Sequence, residues 1–166
     1  MSTDLIDNLL GLAAPAPLHS VRHARDKVLA ATQGSHELFF AEDLPGDLTL
    51  VERLAVALYA ASLTPQTALA GHYLQQLQDR GFAPHVLATI QNDSLQDLAD
   101  PRLQAILGFT RTLILSPVEG DQSALKLLQD AGLATTEIVV LAQLIAYLSY
   151  QTRLLAGLSA LQGAQS

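Results

Sequence analysis

The chain has 166 residues, of which 49% are hydrophobic and 5% aromatic, with no cysteine and a formal net charge of −7. This length fits one domain with its own hydrophobic core, and the acidic balance disfavours nucleic acid or anionic membranes as partners. The lack of cysteine excludes disulfides, zinc–thiolate sites and thiol-based redox chemistry. Leucine and alanine, which favour helices, dominate the composition, so we expect an all-α fold.

The N-terminal segment predicts a cytoplasmic protein, because Asp4 and Asp7 stand where a signal peptide would carry basic residues. The most apolar run, Ile138 to Leu148, contains Gln143 and is shorter than the roughly 20 residues that cross a bilayer. We therefore expect no membrane span.

The first part of the chain predicts a short helix over residues 3–12 and then an extended, proline-rich arm. We assign residues 1–17 to this helix and arm, and residues 18–162 to a single helical domain. A helix is expected from about residue 18, with an interruption at Gly34-Ser35 before a turn at residues 44–47.

Residues 48–81 predict a helical hairpin that forms the core of the domain. Thr49 and Glu52 have the spacing of a capping box at the start of its first helix. Thr64-Pro65 predicts the cap and first residue of the second helix. That helix contains His72 and is expected to end at Gly81, a residue type favoured just after helix ends.

Further helices are expected to begin near Pro84, Asp100-Pro101 and Gly120. A long last helix, over residues 135–160, is expected to be capped by Thr135 or Thr136. This last helix is apolar on several sides, which is typical of a helix buried in a core or in a subunit interface, so we expect a homo-oligomer. No segment shows the alternation of a β-strand.

The two halves of the chain share residues when one is shifted by 85 positions, which predicts two related helical hairpins. The matching residues are Leu48, Glu52, Gln66 and Thr67 in the first copy and Leu133, Glu137, Gln151 and Thr152 in the second. Gly157 stands where the first copy has His72, so only the first copy can carry histidine chemistry.

The order of these features resembles the alkylhydroperoxidase D (AhpD)-like core, whose superfamily includes the γ-carboxymuconolactone decarboxylases. The resemblance rests on a helix that begins L-T-x-x-E-R at Leu48, a break, and a helix that contains His72 and ends in glycine. Later segments are similar to the peroxidase-related branch, and the likeness covers roughly residues 20–160. These segments are Asp-Pro-Arg-Leu at 100–103, Leu-Leu-Gln-Asp-Ala-Gly-Leu at 127–133, and the stretch from Glu137 to Arg153.

The redox motif of this family is C-x-x-C-x-x-x-H. Counting back from His72 places its cysteines at Pro65 and Ala68, so the thiol peroxidase mechanism does not carry over. The decarboxylase branch works without that cysteine pair. The resemblance places the family's acidic residue at Glu52, although strict counting places it at Arg53.

The candidate site residues follow from this resemblance. His72 is the candidate general acid or base and Glu52 its proton-transfer partner, while Tyr73 and Arg153 are candidate binding residues. Each has a structural alternative. Glu52 could serve only the capping box, His72 could be a buried or interfacial histidine, and Arg153 could form a salt bridge with a glutamate of the neighbouring hairpin instead of binding a substrate carboxylate.

The remaining histidines are predicted to lie on the surface. His19 and His23 have the i, i+4 spacing of a metal-binding pair, but no acidic or third histidine ligand has a matching spacing, and only Asp26 is near in sequence. We therefore expect a solvated helix face, and neither a metal nor a cofactor. His36 and His85 lie near predicted helix boundaries.

Three functional hypotheses remain. The leading one is an AhpD-like, peroxidase-related protein without redox cysteines, in which His72 performs acid–base chemistry on a small organic acid, lactone or peroxide-derived substrate. The second is a non-catalytic helical oligomer that binds a small ligand or partners an active family member. The third is a peroxidase that uses cysteines from another chain. A pocket in which His72, Glu52 and a tyrosine converge would favour the enzyme; a dry, leucine-filled interface would favour the scaffold.

Overall fold

The computed structural model describes residues 4–164, and these form nine α-helices, two short 3-10 helices and no strand. The α-helices are α1 (Leu5–Leu10), α2 (Pro17–His23), α3 (Asp26–Phe39), α4 (Leu50–Ser62), α5 (Thr67–Asp79), α6 (Pro84–Gln91), α7 (Pro101–Leu115), α8 (Gln122–Asp130) and α9 (Thr135–Gly163). The predicted all-α fold is confirmed for these residues. Thr3, in the predicted first helix, lies outside the described residues.

Helix α4 lies at the centre of the fold. Its residues from Leu54 to Ala61 are almost completely buried, and it packs against α5, α6, α7 and α9. A helix with apolar side chains on all faces is stable only when other helices surround it, which explains this central position. The hairpin of α4 and α5 is therefore part of the core, as predicted.

By length and composition alone, the 29 residues of α9 could cross a membrane. However, half of its most apolar window is buried inside the protein, and α9 contacts α1, α4, α7 and α8. Core helices of soluble proteins have the same composition, and these contacts assign α9 to the core. Its outer side exposes Val139, Tyr150 and Leu161.

Three predicted boundaries are wrong. Gly34-Ser35 lies inside α3, and the break falls instead at Ala24-Arg25. Thr64 does not cap α5, which begins at Thr67, because its hydroxyl donates to the Ala60 and Ala61 carbonyls in the last turn of α4. The N-cap of α9 is Ala134 rather than either threonine.

The starts of α4 and α9 are built alike and share one cation. Glu52 accepts a hydrogen bond from the Thr49 amide at 2.7 Å, and Glu137 accepts one from the Ala134 amide at 2.6 Å. The guanidinium of Arg102 lies between the two carboxylates. Its Nε donates to Glu52 at 2.7 Å and its Nη2 donates to Glu137 at 2.6 Å. We call these three side chains the Arg102 cluster.

The two copies differ after these shared starts. The first copy is broken into α4 and α5, whereas the second continues as the single helix α9. Gln66 is therefore the N-cap of α5, while Gln151 lies in the middle of α9 with its side chain buried. The internal similarity predicted from the sequence thus corresponds to matched helix starts.

Candidate functional site

His72 lies on α5 and is half-buried. Its Nε2 accepts a hydrogen bond from the Gln76 side-chain amide at 2.8 Å, one helical turn away. Burial lowers the pKa of His72 below its usual 6.5. The imidazole is therefore neutral at physiological pH, and its Nε2 can accept a proton when it gives up the hydrogen bond from Gln76.

A second histidine, His36 on α3, lies beside it. The centroids of the two rings are 6.1 Å apart, and the ring of Phe40 packs 4.9 Å from His36. Among the described residues, Nδ1 of His36 is a buried polar atom without a hydrogen-bond partner. Burial, and then the neighbouring His72, lower the pKa of His36 to about 4. We call His36 and His72 the histidine pair.

The prediction that His36 lies on the surface is wrong, and the reason is the misplaced helix break. With Gly34-Ser35 inside α3, His36 and Phe40 are one helical turn apart and face α5 together. An unbroken helix over residues 26–39 would have placed both rings on one face. The helical spacing in the sequence was therefore a signal for His36.

Tyr73 is completely buried and faces two ways. Its ring lies 5.1 Å from His72 and 5.2 Å from Phe40. Its hydroxyl donates to the Gln151 side chain at 2.8 Å, inside the core, and burial raises its pKa well above 10. Tyr73 thus forms a wall of the histidine pair, but its hydroxyl is directed away from that pair.

Glu52 does not join the histidine pair. One carboxylate oxygen bonds the Thr49 amide and hydroxyl, and the other bonds Arg102. Among the described residues, neither oxygen lies within hydrogen-bond distance of His72. The structural alternative for Glu52, the capping box, is therefore present, together with an ion pair that spacing alone did not indicate.

Arg53, the position reached by strict counting, is buried and bonds only to carbonyls. Its Nε donates to Leu48 at 3.1 Å, and its Nη1 donates to Ala41 at 3.0 Å and to Phe39. Burial lowers its pKa. Because the accepting carbonyls of Phe39 and Ala41 lie at the end of α3, Arg53 fixes that helix end beside the histidine pair.

Arg153 is exposed on α9, where it donates to the carbonyl of Ser149 at 3.2 Å. No described carboxylate lies within ion-pair distance of it. The salt bridge to glutamates that was considered for Arg153 is formed by Arg102 instead. The matching Glu52 and Glu137 in the two copies were the signal for a shared cation.

A cavity of about 370 Å³ opens next to the start of α4. Its lining is mostly apolar, with Glu52, Thr49 and Asp100 as the polar members. The apolar members are Val51, Phe82, Val86, Leu98, Ala99 and Leu103. A larger cavity of about 560 Å³ lies between α7 and α8, and Asp130 is its only titratable lining residue. Neither histidine of the pair lines these two cavities.

The prediction that His19 and His23 lie on a fully solvated helix face is wrong, because both are half-buried. Their rings stack with centroids 3.9 Å apart, and Nε2 of His23 lies 2.7 Å from a carboxylate oxygen of Asp7. Asp7 is buried on α1, twelve residues before His19 in the chain, so helical spacing could not indicate this contact.

Two solved structures share this arrangement of helices. An uncharacterized peroxidase-related protein from Silicibacter sp. TM1040 matches with a TM-score of 0.73 and 14% identity, over 89% of this chain and 86% of that chain. An AhpD core, an uncharacterized peroxidase-related protein from Ralstonia eutropha JMP134, matches with a TM-score of 0.70 and 19% identity, over 90% of this chain and 78% of that chain. No family model matches the sequence, and no curated protein matches it.

These similarities confirm the AhpD-like resemblance at the level of the fold. The chain is an all-α protein with an AhpD-like fold and no cysteine. The positions at which the resemblance places the two thiols, Pro65 and Ala68, are exposed, and His72 follows Ala68 by one helical turn on α5.

Proposed function

We propose that this protein is a cysteine-free member of the AhpD-like superfamily whose functional centre is the histidine pair. In this proposal His72 takes a proton from the substrate, and the buried Nδ1 of His36 becomes accessible on substrate binding and hydrogen-bonds a polar atom of the substrate. The observation that carries it is the buried, unpartnered Nδ1 of His36 beside the neutral imidazole of His72. Buried polar atoms are normally paired, so an unpaired one beside a second base favours a binding or catalytic role.

The local charge favours an uncharged substrate. Besides His72, the groups whose fields act on His36 are Glu37 and Asp4, and both are negative. Arg153 makes its one described hydrogen bond within its own helix, and Arg53 and Arg102 are held by carbonyls and carboxylates. None of these three arginines is therefore positioned to neutralise a carboxylate substrate at the histidine pair. Among the substrate classes considered, a small lactone or another neutral carbonyl compound fits better than an organic acid.

The test is a proton-shift assay with a β,γ-unsaturated lactone, whose conversion to the conjugated isomer is followed by ultraviolet absorbance. We expect the wild-type protein to accelerate the shift, and H72Q to abolish the acceleration. The exposed His85 provides the control, because H85Q changes a histidine outside the pair. An H72Q variant as active as the wild type would contradict the proposal.

The pH dependence gives a second readout of the same assay. Because burial lowers the pKa of His72, its base form predominates already at pH 6.5. The rate should rise with pH in the acid range and reach its plateau at a lower pH than an exposed histidine would give. A rate that continues to rise above pH 8 would assign the proton transfer to another group.

The second candidate function, ligand binding without catalysis, is favoured by the cavity beside Glu52. Its volume of about 370 Å³ and its apolar lining suit a small, uncharged molecule. The neutral dye N-phenyl-1-naphthylamine is a suitable probe. We expect V86W, which fills this cavity, to abolish dye binding, and L127W, at the cavity between α7 and α8, to leave it unchanged. Equal binding by both variants would exclude this site.

The predicted homo-oligomer also remains a proposal. Apolar side chains are exposed on α3 at Val28 and Leu38 and on α9 at Val139 and Tyr150, each with more than 40% of its surface accessible. Exposed large apolar side chains that form one patch are typical of subunit interfaces. Sedimentation should show an oligomer that L38E converts to monomers, whereas a wild-type monomer at micromolar concentration would contradict it.

A further inference from the structure

Three potential metal ligands from two helices meet near the N-terminus. Asp7 comes from α1, and His19 and His23 come from consecutive turns of α2. One ligand atom from each residue can be chosen so that all three lie within 4.8 Å of one another. Metal–ligand bonds of about 2.1 Å at a tetrahedral angle hold such atoms about 3.4 Å apart. The three side chains must therefore close by up to about 1.4 Å to bind one ion.

The carboxylate of Asp7 is held in place by its contacts with neighbouring side chains. Asp7 is completely buried, and its Oδ1 pairs with the guanidinium of Arg22 while its Oδ2 faces Nε2 of His23 at 2.7 Å. Asp4 accepts a second bond from Arg22, at 3.1 Å. Partners of this kind orient a ligand and fix which oxygen it presents. The buried Asp7 is thus oriented in advance, whereas the stacked rings of His19 and His23, with 18° between their planes, must rotate to direct their lone pairs at one ion.

The histidine side of the cluster is open to solvent. Both histidines are partly accessible to solvent, and the side chain of His23 is 33% exposed. A metal held here would therefore have a route of entry and room for a water molecule as a fourth ligand.

We propose that Asp7, His19 and His23 form a binding site for a divalent transition metal, with Zn²⁺ as the best fit. Two imidazoles and one carboxylate are a donor set that Zn²⁺ accepts in tetrahedral geometry. The metal takes the place of the hydrogen between His23 Nε2 and Asp7 Oδ2, and in a neutral imidazole that hydrogen moves to Nδ1. The site links α1 to α2 and is independent of the histidine pair.

The experiment titrates Zn²⁺ into tag-free protein against a chelating dye and repeats the titration with Co²⁺, whose visible absorption reports coordination. We expect one equivalent to bind. Because loss of even an outer partner weakens metal sites about 10–100-fold, H19A and H23A should each weaken binding at least about tenfold. H85A and H72A should bind as the wild type does. Unchanged binding in H19A and H23A, or its loss in H72A, would overturn the proposal.

A thermal measurement guards against variants that fail to fold. H23A removes a partner of the buried Asp7 and should melt below the metal-free wild type, so the readout is the change that Zn²⁺ adds to each variant's own melting temperature. Excess Zn²⁺ should raise the melting temperature of the wild type, because it binds the folded chain. The same addition should leave H23A and D7N unchanged. A Zn²⁺-dependent rise that persists in both variants would place the metal elsewhere.

Discussion

The Arg102 cluster and the histidine pair are both polar groups against the same core, and they differ in how they are satisfied. In the Arg102 cluster, each carboxylate bonds the guanidinium and a helix-start amide. In the histidine pair, burial suppresses the charge on both rings, and Nδ1 of His36 has no partner among the described residues. A fully paired cluster stabilises a fold, whereas an unpaired buried atom costs stability unless a ligand uses it.

The largest expected effect is a loss of folding stability when Arg102 is removed from the Arg102 cluster. R102M leaves Glu52 and Glu137 as uncompensated carboxylates at two helix starts. Loss of one partner of a buried pair costs roughly 3–5 kcal/mol, and we expect about 3 kcal/mol here because the Arg102 side chain is 27% exposed. Urea unfolding measures this loss. R153M is the matched control, because Arg153 is exposed and bonds only within its helix.

A loss in R102M no larger than that in R153M would show that the Arg102 cluster contributes little to stability. The glutamates would then be left free to act as site residues. That result would restore Glu52 as a candidate partner of the chemistry, and would remove the contrast between the two clusters.

The next largest effect is a pH dependence of folding stability that comes from His36 in the histidine pair. The pKa of His36 falls from 6.5 in the unfolded chain to about 4 in the folded protein. Between these values the unfolded chain binds a proton that the folded chain does not, so stability decreases as pH falls from 6.5 towards 4. Above pH 6.5 the His36 ring is neutral in both the folded and the unfolded chain, so this loss of stability is absent. For a partly exposed ring the loss is on the order of 2 kcal/mol.

The measurement compares unfolding free energies of the wild type and H36F at pH 7.5, 6 and 5. Their difference cancels the titration of the carboxylates. H36F should be at least as stable as the wild type at pH 7.5, since it removes an unpaired polar atom, and should gain relative stability as the pH falls. H85F should follow the wild type. A pH-independent difference for H36F would contradict the lowered pKa.

Tyr73 contacts the histidine pair with its ring and the core with its hydroxyl. The variant Y73F separates the effects of these two contacts. The variant keeps the ring that packs on His72 and removes the hydroxyl that bonds Gln151. We expect a loss of about 1 kcal/mol, because Gln151 keeps its bond to Tyr147 but loses one partner. Proton-shift activity should be unchanged. A fall in the proton-shift rate of Y73F under conditions where the variant is fully folded would show that the hydroxyl acts at the histidine pair.

The parts of this molecule that local sequence pattern determines were predictable. The all-α class, the capping box of Thr49 and Glu52, and the position of α4 in the core follow from helix propensity, capping chemistry and apolar periodicity. The boundary at Thr64 was missed because threonine can bond backward to the preceding turn as well as cap the next helix.

The site was less predictable, because it depends on contacts between distant segments. His36 and His72 are 36 residues apart, and Asp7 reaches His23 across a turn. Arg102 joins helix starts that lie on either side of it in the chain. Spacing within one helix gives no information on such contacts. Only the repeated Leu-x-x-x-Glu pattern indicated that two distant segments were built alike.

The smallest expected effect tests that pattern at the start of α9. Thr49 gives α4 a side-chain cap, whereas Ala134 at the matching place in α9 has no side-chain acceptor. Ala134 is exposed and has the extended backbone of an N-cap, with φ −73° and ψ 159°. A134S should therefore complete the capping box with Glu137 and raise the unfolding free energy by about 0.5–1 kcal/mol. The reverse change, T49A, should lower it by a similar amount. A134S could gain nothing while T49A loses stability. In that case the bond between Glu137 and Arg102 would already stabilise the start of α9. The two copies would then be alike in sequence but would stabilise their helix starts by different interactions.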